Sequence, residues 1–250
     1  MKNLVLLHGW GADSRVWQKQ LAAFGNRLQV LAPAIDSWEP PWLSAFLGRL
    51  SLAECLLVGW SLGGMLLLQT LAEVTARPGG LVLVGVSPVF CRRPDYPWGQ
   101  PAAGVRAMRR ALKDNHPEVL KGFAHRCLAS GEEVFREKVA AFFRPADSPE
   151  NLTAGLDYLL HQDLRPYLDR VSGKPVIIQG EQDNIVAVGQ AQFLYRQLPD
   201  SRLYLLPGAG HLPFLTQAAA FNEILEDILR GGLGERGSPT LPSNSTPTPR

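Results

Sequence analysis

The 250-residue chain is poor in cysteine, with only Cys55, Cys91 and Cys127. The number is odd and no C-x-x-C spacing occurs, so neither a disulfide framework nor a cysteine-ligated zinc site is encoded. The pattern fits a reducing compartment, and a cytoplasmic location is expected. Histidine is scarce too: the five residues are scattered, without H-E-x-x-H or H-x-x-E-H spacing, and no metal is expected. No G-x-G-x-x-G follows a strand-like run, so a dinucleotide is disfavoured and no cofactor is expected. Charge of one sign is not in excess overall. With 25 Lys and Arg against 23 Asp and Glu, the formal net charge is +2, which gives no argument for nucleic acid or a membrane surface. Apolar runs stay short of the ~18 residues that span a bilayer, and residues 1–9 are too short for a signal-peptide core. No internal repeat is visible, and a monomer is expected.

What is present is an alternation of short apolar runs with helical patterns. Strands are expected over 4–7, 28–32, 56–58, 81–86, 175–180 and 202–206, each a continuous apolar stretch of the kind buried in a parallel sheet. Helices are expected over 15–24, behind Asp13 or Ser14 as cap, after a Pro- and Trp-rich loop at 33–42, over 65–71, over 188–197 and over 218–229. This βα alternation predicts an α/β fold, a mostly parallel sheet with helices on both faces. The pattern breaks between 89 and 163, where only helical periodicity interrupted by prolines appears. A helical insertion there reads as a cap over the C-terminal edge of the sheet, where open α/β sheets bind ligands. The expected organisation is therefore a core of 1–88 and 164–230, a cap of 89–163, and a Gly-, Pro-, Ser- and Thr-rich tail, 231–250, too polar to fold.

The stretch Gly59-Trp60-Ser61-Leu62-Gly63-Gly64 follows the third strand run and precedes a helix. It matches G-x-S-x-G, in which a sharp strand-to-helix turn holds a serine at its tip. Gly59 and Gly63 stand where side chains would meet neighbouring elements, and Gly64 loosens the first helical turn. A serine nucleophile needs a base, an acid that orients the base, and donors for the oxyanion. Asp183 lies just past the strand at 175–180 and His211 lies in the loop Gly208-Ala209-Gly210-His211 after the next strand. Both therefore arrive at the sheet edge that carries Ser61, in the order Ser, Asp, His. The rival acid is Glu181, two residues earlier. The backbone N–H groups of Leu62 and Trp10 are the candidate oxyanion donors, Trp10 through the glycine-rich loop His8-Gly9-Trp10-Gly11. His8 is read as ordering that loop, and His116, His125 and His161 as exposed or locally bonded residues of the cap.

On these motifs the chain resembles the α/β-hydrolase superfamily across about residues 1–230. Trp60 before the serine, Ser87-Pro88-x-Phe90 running into Arg92-Arg93-Pro94-Asp95-Tyr96-Pro97-Trp98-Gly99, Asp163-Leu164-Arg165, Gly180-Glu181-Gln182-Asp183 and Gly210-His211-x-Pro213-Phe214 narrow the match. Within the superfamily it resembles the biotin-pathway esterases that act on pimeloyl-[acyl-carrier protein] methyl ester. The resemblance implies that Ser61, Asp183 and His211 hydrolyse this ester to methanol and pimeloyl-[acyl-carrier protein], with Trp10 and Leu62 flanking the ester and an acyl carrier protein as partner. The alternative is a general carboxylesterase acting on small free esters. Charge along the chain supports an acidic partner independently: residues 92–144 hold eleven Lys or Arg against six Asp or Glu. Arg106, Arg109, Arg110, Lys113, Lys121, Arg126, Arg136 and Lys138 are the candidates for steering it. The loop Ala34-Ile35-Asp36-Ser37-Trp38 departs from the family's glycine-rich D-x-P-G-x-G and bears on the substrate more than on the chemistry.

Overall fold

The computed structural model describes residues 1–143, 148–171 and 173–231. Six apolar runs form strands: β1 (Asn3–Leu7), β2 (Gln29–Leu31), β3 (Cys55–Trp60), β4 (Gly80–Val84), β5 (Val176–Gly180) and β6 (Arg202–Leu206). They join one sheet in the order β2-β1-β3-β4-β5-β6, and every pairing is parallel. Parallel pairing explains the absence of alternation in the sequence. Helices cover the faces, so β3 is buried at every position and β5 likewise. It also brings the C-terminal ends of all six strands to one edge.

The flanking helices are α1 (Gln18–Phe24), α2 (Pro40–Leu47), α3 (Leu62–Glu73), α7 (Val188–Gln197), α8 (Pro213–Thr216) and α9 (Ala218–Leu229). The helix expected from residue 15 opens instead as a 3-10 turn, Ser14–Trp17, where Asp13 caps the Arg15 N–H at 2.9 Å. α2 begins inside the stretch expected to be loop. Pro40 and Pro41 occupy its first positions, where a missing N–H has no intrahelical partner to lose.

Between β4 and β5 the described residues contain no strand, only the isolated bridges Cys91–Gln100 and Arg93–Tyr96. This segment holds α4 (Ala102–Arg126), α5 (Arg136–Phe142) and α6 (Pro149–His161), and α4 packs on both α5 and α6. α4 is broken at Asn115, with φ −156° and ψ 76°. There Asn115 Oδ1 accepts the Glu118 N–H at 3.3 Å and Pro117 opens the second half. The segment leaves and re-enters the sheet through one knot. Leu164 N–H donates to Pro88 O at 2.8 Å, and Arg165 bonds both Asp163 and Asp95 while its guanidinium lies 5.8 Å from the Tyr96 ring centre. Burial pushes the Tyr96 hydroxyl up to about 12, partly offset by its contact with Ser87. Two of the stretches that carry the narrower family resemblance, 87–99 and 163–165, are thus neighbours in space. Residues 232–250 of the expected tail, and Arg144, lie outside the described residues.

Candidate active site

The sharp turn after β3 gives Ser61 an unusual backbone, φ 54° and ψ −123°, which a serine adopts only when its surroundings hold it there. Its N–H donates to Val84 O at 2.9 Å, tying the turn to the end of β4. The surrounding glycines permit close approach. A Cβ on Gly63 would overlap the His8 carbonyl oxygen, and one on Gly64 would overlap Val86 and the Gly59 carbonyl. Gly64 is therefore a packing requirement, more than the loosener of a helical turn that the sequence implies.

Asp183, just past β5, and His211, after β6, are buried and hydrogen-bonded to each other. His211 Nδ1 lies 2.7 Å from Asp183 Oδ2. A carboxylate only accepts, so Nδ1 carries the proton and Nε2 presents a lone pair. That Nε2 is buried and has no hydrogen-bond partner among the described residues. Asp183 is held on both oxygens. Oδ1 accepts the N–H groups of Ile185 and Val186 at 2.7 and 2.9 Å, and Oδ2 also accepts from Gln179 Nε2 at 3.0 Å. Glu181, the rival acid, is exposed.

Gly85, next after Val84, abuts both acid and base: a Cβ there would lie 2.9 Å from His211 Nδ1 and 3.4 Å from Asp183 Oδ2. Ser61, Asp183 and His211 thus share one edge, although the Ser61 hydroxyl and His211 Nε2 are not hydrogen-bonded to each other. Such bonds commonly tighten only with substrate present.

The loop after β1 closes the other side, and a Cβ on Gly9 would stand 3.0 Å from Ser61 Cβ. Leu62 opens α3, so its N–H has no intrahelical acceptor. The Trp10 N–H makes no backbone hydrogen bond among the described residues. Neither N–H is engaged by a backbone carbonyl among the described residues. His8 orders the loop as expected: Ile35 N–H donates to its Nε2 at 3.2 Å, which leaves Nδ1 to donate to Gly9 O at 2.9 Å. Burial pushes the His8 imidazole pKa below its ordinary value, partly offset by the bond to Gly9. It is a neutral strut.

A roof of apolar side chains from the helical segment lies over this edge. The Trp10 ring stands edge-on to Phe123, 5.1 Å between centres, and its Nε1 donates to Leu152 O at 2.8 Å. Phe143 stands edge-on to Trp60 at 6.3 Å. Cys127 is buried nearby, and burial, with the Asp183 charge adding to it, raises its thiol well above the ordinary value. It cannot compete as a thiolate nucleophile near neutral pH.

Two supporting roles escaped the sequence. Trp60 Nε1 donates to His211 O at 2.8 Å, so the tryptophan before the serine also fixes the histidine loop. Gln179 holds Asp183. The one signal available was a polar residue inside the apolar run Val176-Ile177-Ile178-Gln179-Gly180. Of the basic candidates, Arg109 is engaged by Asp157 through two bonds of 2.6 and 2.9 Å. Arg106, Arg110, Lys113, Lys121, Arg126, Arg136 and Lys138 are exposed and form no ion pair among the described residues. A groove of 620 Å³ between the 36–40 loop and α6 is lined by Asp36, Glu39, Glu150 and Asp157.

A parallel sheet with a strained serine after β3, an acid after β5 and a histidine after β6 defines an α/β hydrolase, and the chain belongs to the alpha/beta hydrolase family, whose sequence profile matches residues 4–224. Within that family it is similar to the pimeloyl-[acyl-carrier protein] methyl ester esterase of Nitrosomonas europaea, 31% identical over 86% of this chain and 90% of that one. It is similar also to the enzyme of the same name from Aromatoleum aromaticum, 30% identical over 92% and 98% respectively. Among solved structures, an esterase from Exiguobacterium antarcticum shares the fold with a TM-score of 0.82 at 23% identity, over 92% of both chains.

Proposed function

We propose that this protein is a serine esterase that hydrolyses the methyl ester of pimeloyl-[acyl-carrier protein], releasing methanol and pimeloyl-[acyl-carrier protein] for biotin synthesis. The observation that carries the chemistry is the Asp183–His211 hydrogen bond, which leaves an unpartnered Nε2 at the sheet edge that carries the strained Ser61. His211 Nε2 takes the Ser61 proton as Oγ attacks the ester carbonyl. The oxyanion forms against the N–H groups of Leu62 and Trp10, each donor contributing on the order of 3 kcal/mol to the transition state. His211 then gives the proton to the departing methoxide. Water, deprotonated by His211, releases the acyl group and restores Ser61. Asp183 fixes the imidazole tautomer throughout.

The substrate assignment is supported by the two relatives and by the exposed basic residues of α4 and α5, on a segment, 89–163, that serves as a cap over the site. An acidic carrier protein would be steered toward those cations and away from the Asp36, Glu39 and Glu150 carboxylates of the groove beside α6. One observation favours a general carboxylesterase instead: Arg109 is already neutralised by Asp157, which thins the positive face. Turnover of pimeloyl-[acyl-carrier protein] methyl ester and of free p-nitrophenyl esters separates the two. Strong preference for the carrier-linked ester, declining with added salt, supports the proposal. Equal or better cleavage of free esters leaves a general esterase.

A further inference from the structure

We infer that Glu132 is a positioning residue for His211, through which the helical segment sets the catalytic base; this rests on the triad reading above. Glu132 follows α4 and is buried, 6% exposed, without a cation bonded to it. Its Oε2 accepts the N–H of Ala129 at 2.8 Å, within its own turn, and the N–H of Gly210 at 3.2 Å, the residue before His211. The His211 N–H donates to Cys127 O at 2.8 Å. Residues 127–132 therefore hold two successive N–H groups of the histidine loop, while Trp60 Nε1 holds the His211 carbonyl from the elbow side. The fit is close: a Cβ on Gly210 would come 2.6 Å from both Cys127 O and Ala129 N and 2.7 Å from Glu132 Oε2.

A buried carboxyl is costly to keep unless it makes bonds that its surroundings need. The bond that reaches out of its own turn is the one to Gly210. Its second oxygen, Oε1, has no partner among the described residues, so Oε2 alone does the holding. The clamp fixes the backbone of the base and so sets the reach of His211 Nδ1 to Asp183, the bond that orients the ring. A small displacement of a catalytic group lowers turnover more than it alters binding of a small ester.

The test compares Glu132→Ala, which removes the acceptor, with Glu132→Gln, which keeps one acceptor oxygen, on a p-nitrophenyl ester. Expected for Glu132→Ala is a kcat lower by roughly tenfold to a hundredfold, a KM within about threefold, and a displaced acid limb of the pH–rate profile. Glu132→Gln should restore kcat to within about threefold of wild type. Wild-type kcat in Glu132→Ala, or a folded Glu132→Gln as impaired as Glu132→Ala, overturns the inference. If Glu132→Ala does not fold, Glu132→Asp carries the same prediction, because its shorter carboxylate can still cap Ala129 but falls short of Gly210.

Ser61→Ala is assayed alongside. Retained turnover in that variant would sink the triad reading and leave the clamp to a readout independent of catalysis, the low-field NMR signal of the His211 Nδ1–H. A signal shifted in Glu132→Ala and restored in Glu132→Gln supports the clamp; an unmoved signal overturns it.

Discussion

At the scale of single residues, the geometry of Ser61, Asp183 and His211 depends on what surrounds them as much as on the three side chains themselves. Gly85 has φ 54°, and a Cβ there would press on the His211 ring. Gly85→Ala should cost about 1–3 kcal/mol through backbone strain and cut kcat by an order of magnitude or more. Thermal unfolding and ester kinetics check the two effects separately. His8 makes a pH prediction whose sign follows from its burial. The folded protein holds the imidazole neutral, with its pKa below the ordinary 6.5, whereas the unfolded chain protonates near that value. The contribution to stability is complete above 6.5 and lost as pH falls below it toward the folded value. Urea unfolding from pH 7 to 5 should show this decline, and His8→Gln should flatten it; parallel curves for the two proteins would contradict the assignment. That Ser61, Asp183 and His211 meet at one sheet edge was legible because each follows a strand end in a recognisable turn. Gln179, Glu132 and Trp60 were not legible as partners, because their roles are contacts across 4, 78 and 151 residues of sequence.

At the scale of elements, strands and amphipathic helices were both legible: the expected 188–197 and 218–229 coincide with α7 and α9, whereas the starts of α1 and α2 were missed. A strand buried on both faces, as β3 and β5 are, announces itself by a continuous apolar run. Helix starts depend on local capping, which is why α2 opens earlier than the Pro- and Trp-rich composition implies. The break in α4 has the same local origin. Asn115 caps the second half-helix through the Glu118 N–H, with Pro117 placed where no N–H is needed. Asn115→Ala should lower stability by about 1 kcal/mol, and Asn115→Asp should largely preserve it, as measured by chemical denaturation. A null effect of both would mean that packing of α4 on α6 alone fixes the kink.

At the scale of the whole molecule, a nearly neutral chain distributes its charge unevenly: exposed cations on α4 and α5 outnumber the exposed Asp114, Glu118 and Glu137 there, and the groove beside α6 is lined by Asp36, Glu39, Glu150 and the Arg109-paired Asp157. No described helix is long and apolar enough to cross a membrane. The uneven distribution was partly legible as an excess of Lys and Arg between 92 and 144, but the pairing of Arg109 with Asp157 required the packing of α4 on α6. Arg110→Glu combined with Lys121→Glu should lower kcat/KM for the carrier-linked ester several-fold at low salt. The same pair should leave a free p-nitrophenyl ester unaffected, because steering acts on encounter and not on the triad.

The central claim is that Ser61 is the nucleophile and His211 its base. It is tested most directly by mass spectrometry of the protein after reaction with a fluorophosphonate. One adduct is expected, located on Ser61, formed by wild type and slowed by on the order of 10³-fold or more in His211→Ala. An adduct on another residue, or unchanged labelling without His211, would contradict it.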